Sequence, residues 1–352
     1  MDCKSNLPVQ YSIDIDNLCA LPMKSLAYLN KYLLKYRRHL ILGLIFVIVS
    51  NIFQIVPAQV VRLAIDLVVD NIRTYQLFRG TGGSEGYFSI VALAILLYAG
   101  LILVMALLRG FFLYLVRQTL IVMSRYIEYD LKNEIFAHYQ SLSLAFYRRN
   151  NTGDLMNRIS EDVGRVRSYF GPAVMYTVNL TVLFVLVTIS MFRVNPMLTL
   201  YVLAPLPILA ITIYYVNTLI NRKSEKIQAL LSDLTTNAQE SYSGIRVIKS
   251  FVQEKAMRFF FNKNSEEYMQ NAVGLAKMEA IYFPSMGLLI GLSTLLTIMI
   301  GGIYAINGSN GVTVGTIAEF VMYVNMLTFP VSAIGWTASM IQRAAVSQKR
   351  IN

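Results

Sequence analysis

The sequence predicts an all-α membrane protein with six long transmembrane helices and two extended cytoplasmic helical hairpins. Three observations predict it. The 352 residues are 55% hydrophobic and only 14% charged, with a mean hydropathy of +0.51, whereas a soluble chain of this size carries about 25% charge. So much apolar surface cannot be hidden inside a soluble globule, which makes lipid the solvent for much of the chain. Six apolar runs each approach or exceed the ~20 residues a helix needs to cross a bilayer. Finally, all 31 Lys and Arg except Arg62, Arg73, Arg79 and Arg193 fall in segments 1–38, 109–168, 222–277 and 343–350. Basic charge that alternates in this one-sided way places those segments, and both termini, in the cytoplasm. The net charge of +11 therefore sets topology and contact with anionic lipid. No nucleic-acid partner is expected.

Residues 1–23 read as a polar cytoplasmic tail. Its two cysteines, Cys3 and Cys19, suggest neither a disulfide framework nor a metal site, and no apolar stretch precedes the first span as a cleavable signal would. Residues 24–38 read as an interfacial elbow helix, with Leu26, Leu29, Leu33 and Tyr36 on one stripe and Lys31 and Lys35 elsewhere. The spans are expected at about 40–65, 87–116, 170–192, 196–220, 281–306 and 317–341. Three connections fall outside: a loop with Arg73, Arg79 and the Gly80–Gly86 cluster, a tight turn at Arg193–Pro196, and Asn307–Thr313. The other two, about 117–169 and 221–280, are long and proline-free, and they keep helical periodicity. Leu155, Ile159, Val163, Val166 and Phe170 form one stripe; Ile227, Leu230, Leu234 and Ala238 form another. Legs of about 25 residues reach roughly 35–40 Å beyond the bilayer. The order span, long hairpin, span occurs twice, as in many transporters built from internal repeats.

The hairpin tips are the most polar and most punctuated pieces of the chain. In the first, Phe146 and Tyr147 precede Asn151, placed as a helix N-cap, with Asp154 reaching back to the cap. Gly153 allows close backbone approach, and Arg158–Asp162 and Glu161–Arg165 are spaced as i,i+4 pairs. In the second tip, Glu240 precedes Gly244, which breaks the leg. A short helix with Ile245, Ile248, Lys249 and Phe251 leads on to Glu254.

These two segments resemble the first and second coupling loops of six-span ABC exporters. The resemblance rests on Phe146 with Asn151-Thr-Gly153-Asp-Leu-Met-Asn-Arg158 through Asp162, and on Glu240 with Gly244-Ile-Arg-Val-Ile-Lys249, Phe251 and Glu254. The C-terminal part agrees, with Thr313-Val-Gly315, Phe320, Tyr323, Phe329-Pro330 and Ala344 through Ile351. The resemblance covers about residues 25–352. It implies a domain-swapped dimer of twelve helices, made with a second copy or a homologous half-transporter. Motors docked on the tips would switch a central cavity between inward- and outward-facing. The chain has no Gly-x-x-x-x-Gly-Lys-Ser/Thr loop and no ABC signature, so no cofactor is expected in it. ATP and Mg²⁺ belong to a nucleotide-binding domain supplied in cis or in trans. Residues 344–352 are expected to begin the linker to that domain, in a truncated chain.

Residues proposed for the cargo cavity are Asn51, Gln54, Arg62, Arg109, Met299, Met322, Met326 and Trp336. Intramembrane polar groups are costly and so invite a function, and soft Met and aromatic side chains suit an unspecific apolar site. Arg62 has Asp66 one turn on as an ion-pair partner, and Thr316 with Glu319 reads as a capping box. The expected function is outward movement of a lipid-like or amphipathic substrate across a bacterial inner membrane. A peptide or cofactor exporter, a non-transporting scaffold and an ion-coupled transporter are the alternatives.

Overall fold

A computed structural model describes residues 27–78, 84–308 and 311–352. The tail with Cys3 and Cys19, Arg79 with most of the Gly80–Gly86 cluster, and Ser309 with Asn310 lie outside the described residues. Every described element is helical. A 3₁₀ turn (Ala27–Leu29) leads into α1 (Asn30–Lys35), then α2 (Arg37–Phe78) and α3 (Ser84–Val116). A wide π turn (Arg117–Ile121) joins α3 to α4 (Val122–Ser141). After the first corner come α5 (Leu144–Arg149) and α6 (Thr152–Asn157), a π turn (Arg158–Asp162), α7 (Val163–Ser168), a third π turn (Tyr169–Ala173) and α8 (Val174–Val194). The rest is α9 (Pro196–Leu203), α10 (Pro205–Ser243), α11 (Ile245–Ser250), α12 (Glu254–Ile306) and α13 (Val314–Ile351).

Among the described residues, six stretches are long and apolar enough to cross a membrane by length and composition. Several are much longer than a bilayer is thick, because the spans run on into the legs without a break: α12 alone has 53 residues. Pro57, Pro284 and Pro330 lie inside helices, a placement that membrane helices tolerate where neighbouring groups re-satisfy the freed carbonyl.

The chain divides into two compact units. One comprises residues 1–64, 70–189 and 336–352; the other comprises 65–69 and 190–335. In the first, α4 is the centre of the core: Met123, Ile127 and Leu131 are buried at i, i+4 and i+8. They pack with Val163, Val166 and Phe170 of the returning leg and with Leu29 and Tyr32. The expected stripe from Leu155 to Phe170 is thus the packed face. The third π turn sits against α4 at a close approach, since a Cβ on Gly171 would lie 2.7 Å from the Ser124 hydroxyl. Only glycine fits there.

Of the expected 24–38 elbow, residues 24–26 lie outside the described residues and the rest is the 3₁₀ turn with α1, interrupted at Tyr36. It ends at Lys35 and restarts at Arg37. Its basic residues hold α4: Lys31 lies 2.6 Å from Glu134 and Lys35 2.6 Å from Asp130, with the Tyr28 and Tyr32 hydroxyls also donating to Glu134. The Asp130 carboxylate holds the Lys35 ammonium above its usual range, so this contact persists across physiological pH.

In the second unit, α10 and α12 run side by side, with Leu209, Ile213 and Met286 as a buried cluster. The tight turn before α9 is capped by Asn195, which accepts from the Leu198 amide at 2.9 Å. Ser293 on α12 donates to the Val202 carbonyl at 2.6 Å. The expected box between Thr316 and Glu319 does not form. Thr313 and Thr316 cap each other reciprocally at 3.3 and 3.1 Å, three residues earlier than expected. Glu319 turns inward instead, fully buried, where it accepts from the Tyr323 hydroxyl at 2.7 Å. Phe320 and Tyr323 are accordingly core residues.

Candidate functional site

The two corners are the most chemically distinctive features of the fold. In the first, Ser141 ends α4 and the chain turns through Leu142 and Ser143 into α5. The Tyr147 hydroxyl donates to the Tyr139 carbonyl at 2.6 Å, tying α5 back to the leg, and Phe146 meets Tyr147 edge to face. Asn151 is the N-cap of α6, its side chain accepting from the Gly153 amide at 2.9 Å.

The charges beyond the cap do not pair as local spacing suggests. Asp154 does not reach back to the cap. Its carboxylate lies 3.0 Å from Arg158 and 3.0 Å from Arg350 at the far end of α13. Asp162 does not pair with Arg158 either. Residues 158–162 form an i→i+5 turn, in which residues four apart no longer stack, and Asp162 is turned inward to 1% exposure. There it accepts from the Ser347 hydroxyl at 2.8 Å. Its other oxygen makes no hydrogen bond among the described residues, but lies 3.5 Å from the Arg350 guanidinium. Arg158 in turn donates to the Arg350 carbonyl at 2.9 Å. Glu161 and Arg165 do pair, as expected.

These contacts form a latch: Asp154, Arg158 and Asp162 on the returning leg grip Ser347 and Arg350 on α13. Ala344, Ser347 and Gln348 are fully buried beside it. Sequence reasoning missed the latch because its partners are 185 to 196 residues apart. The available signal was an acidic residue, Asp162, inside an apolar stripe.

The second corner is more open. α10 ends at Ser243 and Gly244, α11 runs only from Ile245 to Ser250, and Val252 adopts φ 53° before α12 begins at Glu254. Phe251, Val252, Tyr242 and Val247 are all more than 60% exposed. Glu240, Lys249 and Glu254 are exposed as well, while Gly244 and Ile248 are half-buried. This is an apolar tip in a polar rim at the end of two long helices.

The residues expected to line a cavity belong to both units. Asn51 is buried and bridges two helices, its amide donating to Asn179 at 2.9 Å and to the Val47 carbonyl at 2.9 Å. Gln54, Arg62, Met322 and Met326 are half-buried. Asp66, named as the partner of Arg62, accepts from the Thr313 hydroxyl and the Gly315 amide at 2.8 and 2.9 Å. Arg109 is exposed on α3. Met299 lies along an open groove on α12 beside Gly287 and Gly291. Trp336 packs edge to face on Tyr176 and lines a cavity of about 690 Å³ with Tyr114, Arg117, Gln118 and Pro172. Arg117 and Gln118 were not foreseen, because they stand in a π turn whose altered register no local spacing announces.

Six long apolar helices, helical legs and two corners are the features of the described residues, and comparison with known proteins gives them a family. The family model described as the ABC transporter transmembrane region matches residues 40–331, and the chain belongs to that family. Among its relatives is the multidrug resistance-like ATP-binding protein MdlA of Escherichia coli (strain K12), 28% identical over 94% of this chain and 53% of that protein. The probable multidrug resistance ABC transporter ATP-binding/permease protein YheI of Bacillus subtilis (strain 168) is 26% identical over 94% of this chain and 53% of its own length. The chain spans about half the length of the curated relatives it matches.

Proposed function

We propose that this chain is the transmembrane half of an ATP-driven exporter. It moves a lipid-like or amphipathic substrate out of the cytoplasm, or out of the inner leaflet, by alternating access. The motor is a nucleotide-binding domain in cis or in trans, carrying ATP and Mg²⁺, and it docks on Phe146–Asp162 and Glu240–Glu254. The observation that carries this reading is the second corner. An exposed apolar tip at the end of two long helices has no use in water alone, and it suits insertion into a groove of a partner. The latch supports the same reading at the first corner: force applied to α6 passes through Asp162 directly into α13. The location we propose is a bacterial inner membrane with both termini cytoplasmic. A second copy or a homologous half-transporter would complete the cavity, and the unburied apolar faces of α3 and α12 are the surfaces that lipid and that copy would cover.

The test is to replace Phe251 and Phe146 by alanine in the protein assembled with its motor. The expected outcome is loss of transport by at least about tenfold, together with loss of substrate stimulation of ATP hydrolysis. That loss corresponds to removing about 1.4 kcal/mol or more of coupling. Wild-type transport in both variants would refute docking at these tips.

A further inference from the structure

The cavity beside Trp336 is formed by helix geometry of an uncommon kind. Two π turns, Arg117–Ile121 and Tyr169–Ala173, pack against each other at close quarters. Such turns are rare, and they concentrate at functional sites because they swing residues out of the regular helical register. Here Arg117 and Gln118 come from one turn and Pro172 from the other, and the remaining wall joins the aromatic Tyr114, Tyr176 and Trp336 to aliphatic and methionine side chains.

The charge at this wall sits on Arg117, which is exposed. Arg117 engages no carboxylate, other acceptor or ring among the described residues. The carboxylates of the helix that follows are committed to other cations. Glu128 is held by Arg125, Lys132 and Arg167, Asp130 by Lys35, and Glu134 by Lys31. A guanidinium left without an anion beside an aromatic, largely apolar wall is a site for the acidic end of a ligand whose body is apolar.

We propose that this cavity binds an amphipathic anion, its acidic group on Arg117 and Gln118 and its apolar body against Tyr114, Tyr176 and Trp336. The proposal deepens the export reading by naming a class of cargo. It depends on that reading only for transport, since binding is testable without it. The acidic group can come from a lipid headgroup or from a free anionic amphiphile.

Trp336 is the only tryptophan in the chain, so the cavity carries its own reporter. The protein, in nanodiscs of neutral phosphatidylcholine, is titrated with dansyl-labelled undecanoic acid and with the matching dansyl alcohol and amine, reading energy transfer from Trp336. Saturable transfer is expected, with the acid bound about tenfold more tightly than the alcohol or amine. Arg117→Gln should erase that preference while alcohol binding remains as the check on folding, Arg117→Lys should keep most of it, and Arg222→Gln, at an exposed arginine elsewhere on the chain, should keep all of it. Doping the discs with phosphatidylglycerol separates the sources. Competition against the acid identifies a lipid headgroup as occupant; its absence identifies a free amphiphile. Non-saturable transfer, equal binding of all three probes, or an unchanged preference in Arg117→Gln would overturn the proposal. If the charge preference holds while no probe is moved by ATP, the export reading fails and the binding site stands.

Discussion

Asp162 is the residue on which the first corner turns. Its carboxylate is almost wholly buried and faces a serine and an arginine near the end of the chain. Removing the acceptor of a buried hydrogen bond costs the desolvation of the donor left behind, here the Ser347 hydroxyl, about 1–3 kcal/mol. We therefore expect Asp162→Ala to lower stability by that amount, read by thermal unfolding in detergent. Asp154→Ala, which breaks only half-exposed pairs with Arg158 and Arg350, should cost under about 1 kcal/mol. Equal costs for the two would contradict the latch.

At the scale of elements, the third π turn and α4 are held by the contact of Gly171 with Ser124. A methyl at 171 would meet the Ser124 hydroxyl at 2.7 Å, and that hydroxyl is already committed to the Ile121 carbonyl. Overpacking of this kind costs about 1–3 kcal/mol. Gly171→Ala should therefore destabilise the protein by that much, and adding Ser124→Gly should recover most of the loss. Failure of the second change to rescue would place the cost elsewhere. Much at this scale was legible in the sequence. The spans followed from apolar length, the legs from 3.6-residue stripes such as Leu155 to Phe170, and the corners from Asn151 and Gly244. The π turns were not legible, because Arg117–Ile121 and Arg158–Asp162 have ordinary helical composition and their register is set by packing. That is why the Arg158–Asp162 pair was expected wrongly and why Arg117 was overlooked. The capping of α13 was misplaced for a related reason. Thr313 and Thr316 satisfy each other's amides three residues earlier, and the hydroxyl pair leaves Glu319 for the interior.

For the whole molecule, the division of labour is between legs and spans. The leg that returns from the first corner is stiffened by a buried stripe and tied to α13 by the latch. The spans leave large apolar faces uncovered, among them the most apolar window of α3, none of whose residues is fully buried. A lever that is rigid outside the bilayer and incompletely packed within it can be moved as a unit, which is the mechanical requirement of the proposed function. Two polar groups of the spans hold separate segments together, Asn51, one of the cavity candidates, with Asn179, and Asp66, expected as the partner of Arg62, with Thr313. The sequence marked those residues as unusual, but their neighbours are 128 and 247 positions away and only the fold brings them together. The most direct test is reconstitution of the protein with its nucleotide-binding domain in liposomes, following labelled lipids and amphipathic dyes with and without ATP. Movement of at least one of them that requires ATP hydrolysis is the predicted result. Vigorous hydrolysis with no movement of any member of the panel would contradict the account.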